Sequence, residues 1–149
     1  MGNNGERVVS TRLGQMRIGP ERVVRFPRGL IGFERMRDFA LLEMQPESPF
    51  LLLQSLEQPG LGFVVCNPYA FVTDYQVAIG SAEQKLLQAE SISELLVLVT
   101  VSIPQGKPEQ TSLNLAGPIV INVARRLGFQ IPQVDQDKDT PSQYVLAGR

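Results

Sequence analysis

The side chains here that could do chemistry are carboxylates, because little else is present. The chain has no histidine and a single cysteine, Cys66. That removes Ser-His-Asp and Cys-His nucleophilic arrangements and the commonest metal ligand. A zinc site would have to be built from carboxylates alone. Glu34, Asp38 and Glu43 form one loose group along the chain, and Glu90 and Glu94 another. Two of them could converge as an acid–base pair, yet nothing in the spacing requires it, and Glu34-Arg35-Met36-Arg37-Asp38 mixes signs as a solvated face does. Gly60-Leu61-Gly62 lacks the rest of a dinucleotide fingerprint and precedes a strand rather than a helix. Cys66 ends the apolar run Phe63-Val64-Val65-Cys66 and reads as a buried, inert thiol. These residues point away from an enzyme and call for no cofactor, metal or small-molecule substrate.

Three other constellations are better candidates for function or for holding the fold. The first is Phe26-Pro27-Arg28-Gly29-Leu30-Ile31-Gly32-Phe33. Pro27 pushes Phe26 toward extended backbone, and Gly29 and Gly32 permit positive φ or close backbone approach. Leu30, Ile31 and Phe33 are unusually apolar for a turn, so the stretch reads as a structured crossover plugging one end of a core, with a recognition loop as the other reading. The second is Asn67-Pro68-Tyr69-Ala70-Phe71-Val72-Thr73-Asp74-Tyr75, which puts three aromatics and a carboxylate between two expected strands. Tyr69, Phe71 and Tyr75 suit either partner contact or a core plug. The third is Asn114-Leu115-Ala116-Gly117-Pro118-Ile119-Val120-Ile121-Asn122, with an asparagine at each end of a strand-like run broken by Gly117-Pro118; capping of backbone groups is the expected role of Asn114 and Asn122.

The elements that must position these residues are short strands. Alternating or continuously apolar runs bounded by turn residues are expected at 12–18, 23–26, 39–44, 50–56, 61–66, 74–79, 94–103, 111–115, 119–123 and 129–131. The runs at 50–56 and 61–66, separated by Gln58-Pro59-Gly60, form a hairpin. The run at 94–103 is the longest, with its start in the core and its end at an edge. One helix is expected over 81–89, capped by Ser81 with Gln84 completing a capping box and anchored by Leu86 and Leu87. About ten short strands and one helix define an all-β fold, a small β-barrel or sandwich.

At 149 residues, 43% hydrophobic and 19% charged, the chain fits one domain with a real core. Its ordered part is expected over about 11–134, between a polar leader at 1–8 and a polar, acidic tail from Gln133 to Ser142 that carries Asp135, Asp137, Asp139 and Lys138. Tyr144-Val145-Leu146 is expected to dock back. The formal net charge of −1 offers no global field for nucleic acid or anionic membrane. The polar N-terminus is unlike a signal peptide and no apolar run approaches about 20 residues, so the expected location is the cytoplasm, without a membrane span.

Four stretches in this order resemble one family, the flagellar assembly factor FliW: 26–33, 48–56, 67–71 with Asp74-Tyr75, and 114–122 followed by Gln130. The resemblance covers roughly residues 11–134. It implies a non-catalytic, chaperone-like cytoplasmic module with two protein partners. One is flagellin, held before export. The other is the RNA-binding translational regulator CsrA, whose repression of flagellin synthesis the module antagonises. It further implies that the CsrA contact maps to Asp74, Tyr75 and Gln76; some members carry an acidic residue where this chain has Gln76. A flagellin-binding groove would accept an amphipathic helical segment, with Leu30, Ile31 and Phe33 as its expected rim. Two other classes stay open on the residues alone. One is a nucleic-acid-binding barrel that stacks bases on Tyr69, Phe71 and Tyr75; the other is a carboxylate-based hydrolase.

Overall fold

In the structure, a computed structural model, residues 5–133 and 143–146 are described. The strands are β1 (Arg7–Thr11), β2 (Gly14–Ile18), β3 (Val23–Arg25), β4 (Asp38–Glu43), β5 (Phe50–Ser55), β6 (Gly62–Cys66), β7 (Leu95–Ser102), β8 (Ser112–Asn114), β9 (Ile119–Asn122), β10 (Leu127–Gln130) and β11 (Gln143–Val145), with helix α1 (Ser81–Leu86) between β6 and β7. Strands β3-β4-β5-β6-β7-β9-β10 follow one another in space, and β10 closes on β3 through the parallel pair Leu127–Arg25. The architecture is therefore a closed seven-stranded barrel; its other ladders are antiparallel. Strand β8 continues alongside the end of β7, and β11 lies beside β8.

The apolar runs have a simple cause. An antiparallel barrel needs apolar residues on its inner face only, and alternation should follow. Here the outer face is also covered in three places. Phe26, Phe39, Leu53, Val65, Leu98 and Ile121 belong to the central cluster. The intervening residues Ala40, Leu42 and Leu52 are buried with Ile18 of the β1–β2 hairpin. Val120 is buried against Leu87 and Ile131, and Cys66 and Val99 against Tyr75, Leu113 and Leu115. All four residues of β9 are buried for this reason.

Several expectations change. The end of the expected 1–8 leader is a strand: Arg7 and Val8 pair with Ile18 and Arg17, because β2 needs a partner and β1 supplies it despite its polar sequence, while residues 1–4 lie outside the described residues. Residues 74–79 form no strand. Val77 and Ile79 do pack on the core, but the backbone of Ala78 is engaged by a side chain: Gln133 Oε1 accepts its N–H at 2.8 Å and Gln133 Nε2 donates to its carbonyl at 3.3 Å. A glutamine amide takes the place of a neighbouring strand. The helix ends at Leu86 rather than 89. Its N-cap is Gly80 with no side-chain bond, so Ser81 is not the cap, and Gln84 donates to the carbonyl of Ala89 instead of closing a capping box. Leu87 is buried as an anchor, while Leu86 is exposed. The 50–66 hairpin and the long β7 form as expected. Tyr144 and Val145 dock on β8, with the Leu146 N–H on the Thr111 carbonyl. Asp135, Asp137, Lys138 and Asp139 lie outside the described residues. No helix among the described residues is long and apolar enough to cross a membrane.

Cys66 is wholly buried, and burial pushes its thiol from 9.0 up to about 12. The unfolded chain then releases this proton near pH 9 while the folded chain holds it to about 12, so stability is full below the lower value and falls as pH rises between them. The expected slope from one such group is at most about 1.4 kcal/mol per pH unit. Urea midpoints at pH 8, 9 and 10 should show a shallower decline for Cys66→Ala than for the parent chain.

Candidate partner-binding surfaces

The segment after β6 is built from the backbone outward. Asn67 Oδ1 accepts the N–H of Tyr69 at 2.9 Å and opens a short 3-10 turn, Pro68–Ala70. The turn brings the Tyr69 and Tyr75 rings to 5.9 Å and lays Phe71 on Phe50 at 6.0 Å, nearly parallel. Tyr75 is buried and its O–H donates to the Leu115 carbonyl at 2.6 Å. Burial, with the neighbouring Tyr69 second, raises its phenol well above the usual value. Tyr69 is 42% exposed. Asp74 and Gln76 are exposed on either side of the buried Tyr75. The open choice between plug and contact thus divides by residue: Tyr75 fills the core, Phe71 is half-buried, and Tyr69, Asp74 and Gln76 face out. A three-ring stacking platform is not assembled, because Tyr75 presents no free face.

The 26–33 stretch also divides. Phe26 and Leu30 are buried; Ile31 and Phe33 are exposed, at 54% and 37%. Gly29 has φ +66°, and a Cβ there would meet Glu34 Cα and the Phe33 carbonyl oxygen at 2.6 Å, so only glycine fits. Gly32, at φ +87°, needs glycine for its conformation alone. Its N–H donates to Glu34 Oε2 at 3.0 Å, which helps hold that carboxyl below the usual range. Phe33 meets Phe63 edge-on at 5.3 Å. Gln130 spans the gap behind this loop: Oε1 accepts the Ile31 N–H at 2.8 Å and Nε2 donates to the Gly117 carbonyl at 2.9 Å. A groove of about 330 Å³ lies here, lined by Leu30, Ile31, Phe63, Ala116, Ile119 and Gln130 among others. Leu30 and Ile31 of the expected rim line it; Phe33 stands beside it on Phe63.

The two asparagines serve the backbone. Asn114 Oδ1 accepts the Ala116 N–H at 3.1 Å. Asn122 is buried, donates to the Leu87 and Gln88 carbonyls at 2.8 and 3.3 Å, and accepts from the Arg125 N–H at 3.3 Å. Pro118 is buried and its carbonyl accepts the Ile131 N–H at 2.9 Å. Glu34, Asp38 and Glu94, among the carboxylates singled out in the sequence, do local work. Asp38 pairs with Arg25 at 3.4 Å and Glu94 accepts the Glu90 N–H at 3.1 Å. Among the described residues no cluster of three potential metal ligands forms. Sequence reasoning did not single out Arg12, Phe63, Thr100 or Ile103, which sit together on the surface beside the groove. They come from three separate segments, and no local pattern announces their meeting.

The architecture defines a class: a small closed β-barrel whose polar side chains mostly tie backbone together and which leaves aromatic, acidic and apolar side chains exposed. The chain belongs to the FliW protein family, whose model matches residues 7–144. It is 51% identical to the flagellar assembly factor FliW of Nitratidesulfovibrio vulgaris (strain DP4) over 146 residues, 98% of this chain and 83% of that one. It is 36% identical to the flagellar assembly factor FliW of Thermotoga maritima, covering 94% of this chain and 93% of that one. A crystal structure of the flagellar assembly factor FliW superposes with a TM-score of 0.83 at 30% identity, over 97% of this chain and 99% of the other.

Proposed function

We propose that this chain is a non-catalytic cytoplasmic regulator of flagellum assembly with two protein partners. It holds flagellin before export, in a chaperone-like way, and it binds CsrA, which relieves CsrA repression of flagellin translation. The chain works without direct contact to nucleic acid or membrane and without a small-molecule substrate. Family membership supports the assembly role. The observation that carries the partner reading is the display of Asp74 and Gln76 on either side of Tyr75, whose buried ring and 2.6 Å hydrogen bond fix the segment. A preorganised acidic edge suits a basic RNA-binding protein, since complementary charge speeds encounter and selects the partner. Gln76 contributes a hydrogen-bonding amide instead of a second charge, so Asp74 carries the electrostatics.

Asp74→Lys is therefore expected to weaken CsrA binding about tenfold, about 1.4 kcal/mol, chiefly through a slower association rate that depends less on salt. Its circular dichroism and melting temperature should match the parent, because Asp74 is exposed and no core contact is lost. Calorimetry with purified CsrA at two salt concentrations reads the effect. Undiminished binding by the folded variant would move the CsrA contact elsewhere on the barrel.

A further inference from the structure

The seam between β6 and β7 is open. The two strands pair only at Val65–Thr100 and Cys66–Val99. Continued outward, that register would set Val64 opposite Val101 and Phe63 opposite Ser102, and neither pair forms. On the far side β6 stays paired to β5 along its whole length, Gly62 to Cys66. On its other edge β7 pairs with β8, Val101 with Leu113 and Ser102 with Ser112. Between the diverging strands lies a cavity of about 280 Å³ lined by Arg12, Gly62, Phe63, Val64, Val101 and Ile103 with Thr100. It shares Phe63 and Thr100 with the 330 Å³ groove, so the two adjoin. Its surroundings include Ile103 (54% exposed), Ile31 and Phe33.

Two features of this wedge specify an occupant. The first is backbone chemistry. Strand edges that diverge present groups that another strand would engage, and an extended chain is the structure that meets a strand edge. The Gly62 carbonyl shows the need: with no β7 residue opposite, it is taken by Arg12 Nη1 at 2.8 Å. The second is charge. Arg12 is exposed, and its hydrogen bonds go to neutral oxygens, the N–H to Gln54 Oε1 and the guanidinium to Gly62. Among the described residues it has no ion-pair partner; the described ion pair is Arg25–Asp38. A cation at the mouth of a wedge whose other lining side chains, Thr100 aside, are apolar favours a carboxylate on what enters and repels a basic protein.

We infer that the β6–β7 wedge is a strand-addition site for an extended segment of a partner protein, apolar toward Phe63 and Ile103 and carrying a carboxylate where it meets Arg12. This deepens the proposed function and rests on it: of the two partners, the wedge belongs to flagellin, since basic CsrA is repelled by Arg12 and drawn to Asp74. Flagellin then engages by an extended segment at the seam, not only by a helix on the Leu30–Ile31 rim.

The test uses the full chain with purified flagellin and, separately, purified CsrA. Amide hydrogen exchange should slow at residues 62–64 and 101–103 when flagellin is added and stay unchanged there with CsrA. Ile103→Asp and Arg12→Glu should each weaken flagellin binding at least tenfold, while Ile103→Asp keeps its CsrA affinity. Flagellin that binds the parent chain without protecting these amides overturns the wedge and leaves the proposed function standing. Protection produced by CsrA overturns the assignment to flagellin. Failure of flagellin to bind the parent chain at all removes the flagellin half of the proposed function and the wedge with it. Because exchange is read on the parent chain, a variant that fails to fold does not block the decision.

Discussion

Phe26→Ala is expected to cost about 3–5 kcal/mol of stability, the range for deleting a fully buried phenylalanine. The ring is wholly inaccessible and lies edge-on to Phe39, with centroids 5.4 Å apart and planes at 81°. That geometry adds aromatic attraction to the area buried. The loss should be at the upper end because the site cannot collapse. The Phe26 N–H donates to the Arg37 carbonyl at 2.7 Å and its carbonyl accepts from Gly29 at 2.8 Å, so the backbone around the cavity stays pinned. Gly128 sharpens the prediction. A Cβ on Gly128 would run into Cε2 and Cζ of the Phe26 ring. In the parent chain Gly128→Ala should overpack the core and cost about 1–3 kcal/mol. In a Phe26→Ala background the same methyl enters the vacated space. The two changes should therefore be less damaging together than their sum, by roughly 0.5–3 kcal/mol. Urea unfolding of the four chains in this cycle measures the coupling. Additive losses would mean that Gly128 is set by its strand and not by the ring above it.

This pair also shows what can be read from sequence. Phe26, Gly29 and Gly32 are legible because their residue types are unusual for their place: a proline-led turn rich in apolar residues has to be buried somewhere. The strand runs are legible for the same reason, as is the burial of Cys66 within Phe63–Cys66. Segment 74–79 misleads because its alternation is real, with Val77 and Ile79 turned to the core, while its hydrogen bonds come from Gln133 more than fifty residues on. Periodicity reports which face is buried; it does not report what pairs with the backbone. Strand β1 fails in the opposite way. Arg-Val-Val-Ser-Thr lies at the edge with its hairpin partner and shows little amphipathic contrast. Gln54 is the clearest hidden element. It is a fully buried amide that donates to the Ser55, Pro59 and Leu61 carbonyls and accepts from Arg12, locking the β5–β6 turn and the first hairpin together. The wedge is hidden as well. Where β6 and β7 stop pairing depends on how the strands splay at that end, and that is a property of the whole barrel. At the candidate surface, the aromatic loop stands out in sequence, but which of its rings is buried is decided by the Leu115 carbonyl waiting for Tyr75.

The two asparagines that look equivalent in sequence should differ sharply. Asn122→Ala is expected to cost about 2–4 kcal/mol, since it strands buried backbone groups. Asn114→Ala should cost about 1 kcal/mol, the value of one half-exposed turn bond. The reason for the larger loss lies at the end of α1. There the Gln88 N–H bonds to the Lys85 carbonyl at 3.0 Å and the Ala89 N–H to the Gln84 carbonyl at 3.1 Å, which is the double bond of a Schellman cap. The cap requires a left-handed residue at Gln88, which sits at φ +54° where glycine is usual. Asn122 holds this strained end by donating to both the Leu87 and Gln88 carbonyls, and it ties the end to the β9–β10 turn by accepting from Arg125. Its removal therefore releases a helix end, a turn and the Leu87 anchor at once. Gln88→Gly relieves left-handed strain of about 1–2 kcal/mol at a glycine entropy cost of about 0.5–1 kcal/mol, so it should stabilise the parent by roughly 0.5–1 kcal/mol. Placed in the Asn122→Ala chain, Gln88→Gly should recover part of the loss but not the unpaired Leu87 carbonyl. Urea midpoints with an unchanged slope read the four variants against the parent. Equal losses for Asn114→Ala and Asn122→Ala would show that the cap, and not the buried amide, holds α1 to the barrel.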